Sequence, residues 1–337
     1  MSYSPALSNV NLPEPWSQSK ICLVDIGARG GPSRNWIRFS NNISFVFFEP
    51  DHAEAQRLRA RFSFPNETKA EVFEFALGSR EKKAFLYVTQ YPPASSILVP
   101  NLKIIKDLKI RDALRVKRVV RVRQSCLDKF LERFEQSPDF LKLDVQGYEL
   151  NVLKGSMKTL RQAVGCELEV SFIEIYKNQP LFSEIDLWMR KQGFWLADLE
   201  RVWWRRRLMP RRFQERGTLA YGNAVYLKKS VLSPMSFEDS ARAVVICLAL
   251  HLDELAYEVV KKSFSKGWIT AENRIAFENW LHRHRRQTAF WFRMGSIVAK
   301  LPGRQTLGRW LGLWSRALQG NSDTGSDADG WSRRTSW

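Results

Sequence analysis

The stretch Phe140-Leu141-Lys142-Leu143-Asp144-Val145-Gln146-Gly147-Tyr148-Glu149 decides the fold. An apolar run carries one carboxylate, Asp144, to the end of a buried strand. Gly147 then permits a sharp turn, and residues 149–155 continue with helical spacing. Open α/β sheets build ligand sites in this way, with the functional group at the carboxyl end of a strand and a turn behind it.

The same order recurs twice upstream. Ile21-Cys22-Leu23-Val24-Asp25-Ile26-Gly27-Ala28-Arg29-Gly30-Gly31 reads as a strand, an acid at its end and a glycine-rich turn, followed by a short helical stretch at Asn35-Trp36-Ile37. Ile43-Ser44-Phe45-Val46-Phe47-Phe48 is a second buried strand, which ends at Glu49-Pro50 because proline cannot continue it; residues 53–62 are helical in composition. This is the order of a nucleotide-binding half-sheet, in which glycines let backbone approach a ligand and the second-strand carboxylate accepts ribose hydroxyls. The glycines at 27, 30 and 31 do not form GxGxxG, which disfavours a pyrophosphate turn and a dinucleotide-dependent oxidoreductase. Asp25 beside the turn would repel a phosphate and suits a cationic or zwitterionic ligand. S-adenosylmethionine, with its ammonium, sulfonium and ribose, suits Asp25, Gly27 and Glu49.

Further strands are expected at residues 71–76, 84–88, 165–172, 194–199 and 218–227, and helices at 126–134, 149–163 and 184–192. A basic segment, Arg201-Val202-Trp203-Trp204-Arg205-Arg206-Arg207 followed by Arg211, Arg212 and Arg216, separates the last two strands. Residues 103–123 hold nine Lys and Arg against Asp107 and Asp112. That segment reads as a solvated basic connector or as an anion-steering wall at the mouth of the site.

At 337 residues, with 44% hydrophobic and 26% charged side chains, the chain is globular and suits one large domain plus an appendage. Its formal charge of +18 favours anionic partners: nucleic acid, an acidic membrane surface, or anionic or nucleotide-activated substrates. The four cysteines, at 22, 126, 166 and 247, are widely separated and lack CxxC spacing, so reduced thiols are expected rather than disulfides or a zinc site. Residues 1–20 lack the pattern of a signal peptide, and no apolar run approaches the roughly 18 residues of a membrane span. The expected compartment is the cytoplasm.

Taken together, several blocks resemble the FkbM-type methyltransferases, a branch of the class I S-adenosylmethionine-dependent methyltransferases. They are Val24-Asp25-Ile26-Gly27-Ala28 with Gly31, Phe48-Glu49-Pro50, Ala76-Leu77-Gly78, Ser95-Ser96-Ile97-Leu98, the stretch from Phe140 to Glu149 with Val152-Leu153-Lys154-Gly155, and Leu168-Glu169-Val170-Ser171-Phe172. The resemblance spans residues 20–230. It implies a doubly wound, mostly parallel seven-stranded Rossmann-like α/β sheet and S-adenosylmethionine as donor. It also implies that Asp25, Gly27 and Gly31 line the methionine end of the cofactor, that Glu49 holds its ribose and that Asp144 faces the transferred methyl. Arg29 stands where the family usually has asparagine, and its side chain is expected to point away from the cofactor. Asn223 stands where an aspartate is common. An O-methyl acceptor, a hydroxyl on a sugar, glycan or secondary metabolite, is what the family implies.

Methyl transfer needs alignment of donor and acceptor and removal of a hydroxyl proton. In residues 20–230 only His52 carries an imidazole, on the adenosine side. Asp144 is therefore the expected base or orienting group and Glu169 its catalytic partner, with Glu149 and Glu167 behind them. Glu169 lies in an apolar strand, where an unpaired charge is costly, so it is either paired or functional. Asp144 and Glu169 could share a metal, although no ligand spacing demands one. A nucleic-acid methyltransferase is an alternative favoured by charge, but no Asn/Asp-Pro-Pro-aromatic signature follows the central strand, so no specific nucleic acid is expected. A binding module that retains the fold without turnover is another alternative.

The expected organisation is a lead-in at residues 1–19, the methyltransferase domain at 20–230, a helical C-terminal extension at 231–319 and a disordered tail at 320–337. Helices are read at 237–265, as one or two, at 271–299 and at 307–318. Phe290-Trp291-Phe292-Arg293-Met294 and Trp310-Leu311-Gly312-Leu313-Trp314 set aromatics among basic residues, which suits either a packed helical cap, also as a homo-oligomer contact, or peripheral attachment to an acidic membrane face.

Overall fold

The computed structural model describes residues 9–62, 70–134, 136–208, 217–298 and 331–333. The basic residues Arg211, Arg212 and Arg216 and the helix expected at 307–318 lie outside these residues. The chain divides into two compact units, a sheet unit of Cys22–Gly31, Ser44–Lys229 and Gly325–Trp337, and a helical unit from the described parts of Met1–Ile21, Pro32–Ile43 and Ser230–Thr324.

In the sheet unit the strands are β1 (Ile21–Ile26), β2 (Ile43–Phe48), β3 (Ala70–Phe73), β4 (Ala76–Leu77), β5 (Lys82–Thr89), β6 (Val116–Ser125), β7 (Phe140–Leu143), β8 (Gly165–Ser171), β9 (Phe194–Trp204), β10 (Thr218–Lys228) and β11 (Trp331–Arg333). The main sheet runs β11-β9-β10-β8-β7-β1-β2-β3. β1 with β7, β7 with β8 and β2 with β3 are parallel, and β10 is antiparallel to both neighbours. Seven strands thus form the expected mostly parallel sheet, and β11 adds a short edge within the tail that the sequence reads as structureless. The continuous apolar runs follow from burial on both faces, and every residue of β1 is buried. One face packs Val24, Ile26, Leu141, Leu143, Leu168 and Tyr226 against Ile185 and Met189 of α5, the helix Phe182–Lys191.

β4, β6 and β5 form a second, three-stranded sheet. The segment read as a basic connector is in part β6, and the third strand expected at 71–76 divides between the two sheets. The expected helix at 126–134 is two 3-10 turns, at Leu127–Lys129 and Leu131–Arg133. That at 149–163 breaks into two helices, Glu149–Lys154 and Met157–Gln162. The break falls where Gly155 meets the chain: a Cβ there would lie 2.0 Å from the Gly78 carbonyl oxygen. β9 runs through the basic segment as far as Trp204.

In the helical unit, α1 to α8 in chain order are Arg34–Ile37, then the sheet-unit helices His52–Phe62, Glu149–Lys154, Met157–Gln162 and Phe182–Lys191, then Phe237–Ala249, Asp253–Ser265 and Ala271–Val298. The Ser236 side chain caps α6 by accepting the Asp239 N–H. The unit is not purely C-terminal. Trp16, fully buried, meets the Phe277 ring at 4.9 Å, the Trp280 indole N–H donates to the Asn11 carbonyl at 2.9 Å, and the Asn42 amide donates to the carbonyls of Trp16, Ser17 and Ser19. No described helix is long and apolar enough to cross a membrane.

Candidate functional site

The strand order reverses between β1 and β7: β1 leads to β2 and β3 on one side, β7 to β8, β10 and β9 on the other. Ligands of open α/β sheets bind outside the strand ends at such a point. Here the Asp144 N–H donates to the Ile26 carbonyl at 3.0 Å. The turn after β1 also presses on the tip of β7, since a Cβ on Gly27, at φ 77°, would lie 2.0 Å from the Asp144 carbonyl oxygen. Gly27 and Ala28 donate their N–H groups to the Phe48 carbonyl at 2.9 and 3.2 Å, tying the turn to the end of β2. Gly31, at φ 80°, closes it through an N–H bond to the Ala28 carbonyl at 2.9 Å.

Glu49 follows directly. It is buried, its Oε1 accepts the Asp51 N–H at 2.9 Å, and burial pushes its carboxyl up to about 7. Arg29 turns toward the acids that follow β2. Its guanidinium lies 3.2 Å from Asp51, 3.6 Å from Glu54 and 3.9 Å from Glu49, because three carboxylates converge beside the turn. His52 is exposed and bonded to Glu74 at 2.8 Å.

Register sets the other wall. Asp25, Lys142 and Glu167 stand side by side across β1, β7 and β8. Asp25 is fully buried, with Oδ1 3.0 Å from the Lys142 ammonium. Its Oδ2, also buried, has no hydrogen-bond partner among the described residues. Burial pushes the Asp25 carboxyl up, Lys142 opposing, and takes Glu167 up to about 7. Burial works against the Lys142 ammonium too, yet Asp25, Asp144 and Glu167 outweigh it and raise its pKa. One ammonium among several acids cannot neutralise all of them.

Two residues further along the same face come Asp144 and Glu169, bridged by the Gln146 side-chain amide, whose nitrogen lies 2.7 Å from Asp144 Oδ1 and 2.8 Å from Glu169 Oε1. Gln146 sits in the left-handed region at φ 56° and its Oε1 is 2.8 Å from the buried Tyr176 hydroxyl. The Ser96 hydroxyl donates to the Gln146 carbonyl at 2.7 Å. Glu149 is turned inward, Oε1 accepting the N–H groups of Val145 and Gly147, and burial pushes its carboxyl up to about 8. Asn223 faces Glu169 across the β8–β10 register and donates to Glu200 at 3.2 Å, so the acid at that level comes from β9.

The structure thus joins Gly27 to Asp144, Glu49 to the Gly27 turn through Phe48, and Asp144 to Glu169. It gives Asp25 to Lys142. Gln146, Tyr176 and Ser96 were not singled out as site groups in the sequence; Lys142, a charge inside an apolar strand, was the one visible signal. No group of three or more His, Cys, Asp or Glu arranged to hold a metal occurs among the described residues. The orphaned Asp25 oxygen and the buried Glu49 fit S-adenosylmethionine, whose ammonium and ribose hydroxyls are donors.

A family model described as the methyltransferase FkbM domain matches residues 25–196, just over half of the 337. Curated proteins gave no match. Among solved structures the chain is similar to magnesium protoporphyrin IX methyltransferase from Synechocystis PCC 6803 with bound SAM, at 8% identity over 63% of this chain and 71% of that one, TM-score 0.34. It is also similar to precorrin-6y C5,15-methyltransferase from Geobacter metallireducens GS-15, at 10% identity over 63% and 82%, TM-score 0.31. An rRNA methylase from Streptococcus thermophilus matches at 10% identity over 64% and 93%, TM-score 0.32.

Proposed function

Because the chain belongs to the FkbM methyltransferase-domain family and is an S-adenosylmethionine-dependent methyltransferase, we propose that it methylates a hydroxyl of a sugar, glycan or secondary metabolite. The observation that carries this reading is the pair of carboxylates, Asp144 and Glu169, held on one amide at the reversal point of the sheet. The bound cofactor supplies an electrophilic methyl on a sulfonium. Glu49 accepts its ribose hydroxyls, and the Gly27 turn lets backbone lie against it. Asp144 orients the acceptor hydroxyl and takes its proton, with Glu169 beside it on the same amide. Gln146 fixes both carboxylates, and Tyr176 fixes Gln146.

The test is calorimetric titration with S-adenosylmethionine and S-adenosylhomocysteine, with NAD and Glu49→Ala as controls, followed by labelled-methyl transfer to a panel of sugars and glycans. Binding that Glu49→Ala abolishes, with label appearing on a hydroxyl, is the expected result. A folded protein that binds neither ligand would sink the reading, and label on an amino-sugar nitrogen would replace the hydroxyl with another acceptor.

A further inference from the structure

The ribbon of β5 and β6 has two faces of opposite character. Ala84 pairs with Val122 and Leu86 with Val120, and Ala84, Leu86, Val88 and Val122 close on a small apolar core with Ala76. Alternation sends the residues between them to the other side. There Lys83 stands opposite Arg123, Phe85 opposite Arg121 and Tyr87 opposite Val119, with Lys117 next along β6. Phe85 and Val119 are 53% and 51% exposed. None of these seven face positions is acidic. Like charges placed directly across strands, as Lys83 and Arg123 are, are unfavourable, and an anion lying on both would relieve them.

The ribbon also borders the site. The Tyr87 N–H donates to the Ser96 carbonyl at 2.8 Å, and Ser96 holds Gln146. On the opposite side of β6, Arg118 lies 3.8 Å from Asp51, whose other cation is Arg29.

We propose that the outer face of this ribbon docks an acidic glycan, a chain whose carboxylates or phosphates rest on Lys83, Lys117, Arg121 and Arg123 and which carries the acceptor hydroxyl to Asp144 and Glu169. This rests on the hydroxyl-acceptor reading above. Guanidinium forks match planar acid groups. A single-stranded nucleic acid fits less well, because Arg121 lies over the Phe85 ring at 6.0 Å and Arg123 over the Phe75 ring at 4.6 Å, which leaves no run of free ring faces for successive bases. A membrane fits less well because Phe85 and Val119 stand within strands, opposite and between cations, rather than at a loop tip that enters the acyl boundary.

The experiment measures binding of a labelled oligogalacturonate to the full chain, beside neutral dextran of matched length, poly(U) and anionic phospholipid vesicles. The Arg121→Glu/Arg123→Glu variant is compared with Lys158→Glu/Lys191→Glu, which makes the same change in charge at exposed helix positions. Expected are salt-steep binding of the oligogalacturonate, none of dextran, and a loss of ~10-fold or more in the ribbon variant alone, with S-adenosylmethionine binding intact in both. Equal loss in both variants, or tighter binding of poly(U) or vesicles than of the oligogalacturonate, overturns the docking proposal. Methyl transfer confined to neutral sugars also overturns it while leaving the transfer reading standing. Failure of the unaltered protein to bind S-adenosylmethionine overturns the transfer reading itself, and the acceptor assignment with it.

Discussion

Asp144, just past the end of β7, and Glu169, within the neighbouring parallel strand β8, share one donor group: the side-chain amide of Gln146, 2.7 Å from one and 2.8 Å from the other. An amide nitrogen has two protons, so the arrangement uses both and leaves the Gln146 oxygen for Tyr176. Removing the amide frees two like charges to move apart. Gln146→Met, which keeps length but donates nothing, is expected to lower methyl transfer by roughly 10- to 100-fold, while cofactor affinity changes by less than about threefold. Parallel titration and turnover assays check it; a fall in cofactor affinity that matches the fall in turnover would refute the positioning role.

Glu49 is a carboxyl raised to about 7 by burial. Ribose hydroxyls donate to the ionised form, so binding lowers that value and expels a proton below neutrality. Cofactor affinity is therefore expected to rise as pH goes from 6 to about 7.5 and then level off. Calorimetry in buffers of different ionisation enthalpy should show about one proton released per cofactor at pH 6. In Glu49→Gln the release should vanish.

Glu149, raised to about 8 by burial, sets a stability slope. The folded state holds its proton over a range in which the unfolded chain, with an ordinary glutamate value of about 4.3, has lost it. The folded state then binds more protons, so stability falls as pH rises from about 4.5 to 8 and is constant beyond. Glu149→Gln keeps an oxygen for the Val145 and Gly147 N–H groups and should flatten that slope in thermal melts. An unchanged slope would assign it to other acids such as Glu167.

Gly27→Ala combines a positive φ with a Cβ placed 2.0 Å from backbone. The left-handed conformation alone costs roughly 1–2 kcal/mol, and neither strand end can yield without disturbing the sheet. A melting temperature lower by about 5 °C or more is expected, with loss of cofactor binding in the protein that remains folded. Gly30→Ala, where a Cβ meets nothing within 4 Å but φ is 82°, should show the conformational part alone.

The strand ends at Asp25, Glu49 and Asp144 were legible in the sequence because buried parallel strands must be apolar and their polar tips stand out against them. β6 was less so. Val116, Val120 and Val122 carry a period of two, but the exposed positions between them are nearly all Lys or Arg, and the charge run masks the alternation. The helix break at Gly155 depends on the approach of Gly78, which local spacing does not encode. Tyr176 reaches Gln146 from a segment without periodicity, and Arg29 is drawn to Asp51 and Glu54 by a convergence that only folding creates.

The burial of Trp16 against Phe277 has a consequence in time. The Asn11 carbonyl meets its donor on Trp280 only 269 residues later in the chain. At a synthesis rate of about 5–20 residues per second, the segment that holds Asn11 and Trp16 waits roughly 10 to 50 s for the helices that carry Phe277 and Trp280. During that interval Trp16 has no mate and the sheet strands emerge first. Slowing or halting translation before residue 271 would leave the segment at Trp16 available to chaperones, and a nascent chain of that length should be clipped there by protease when the finished protein is not.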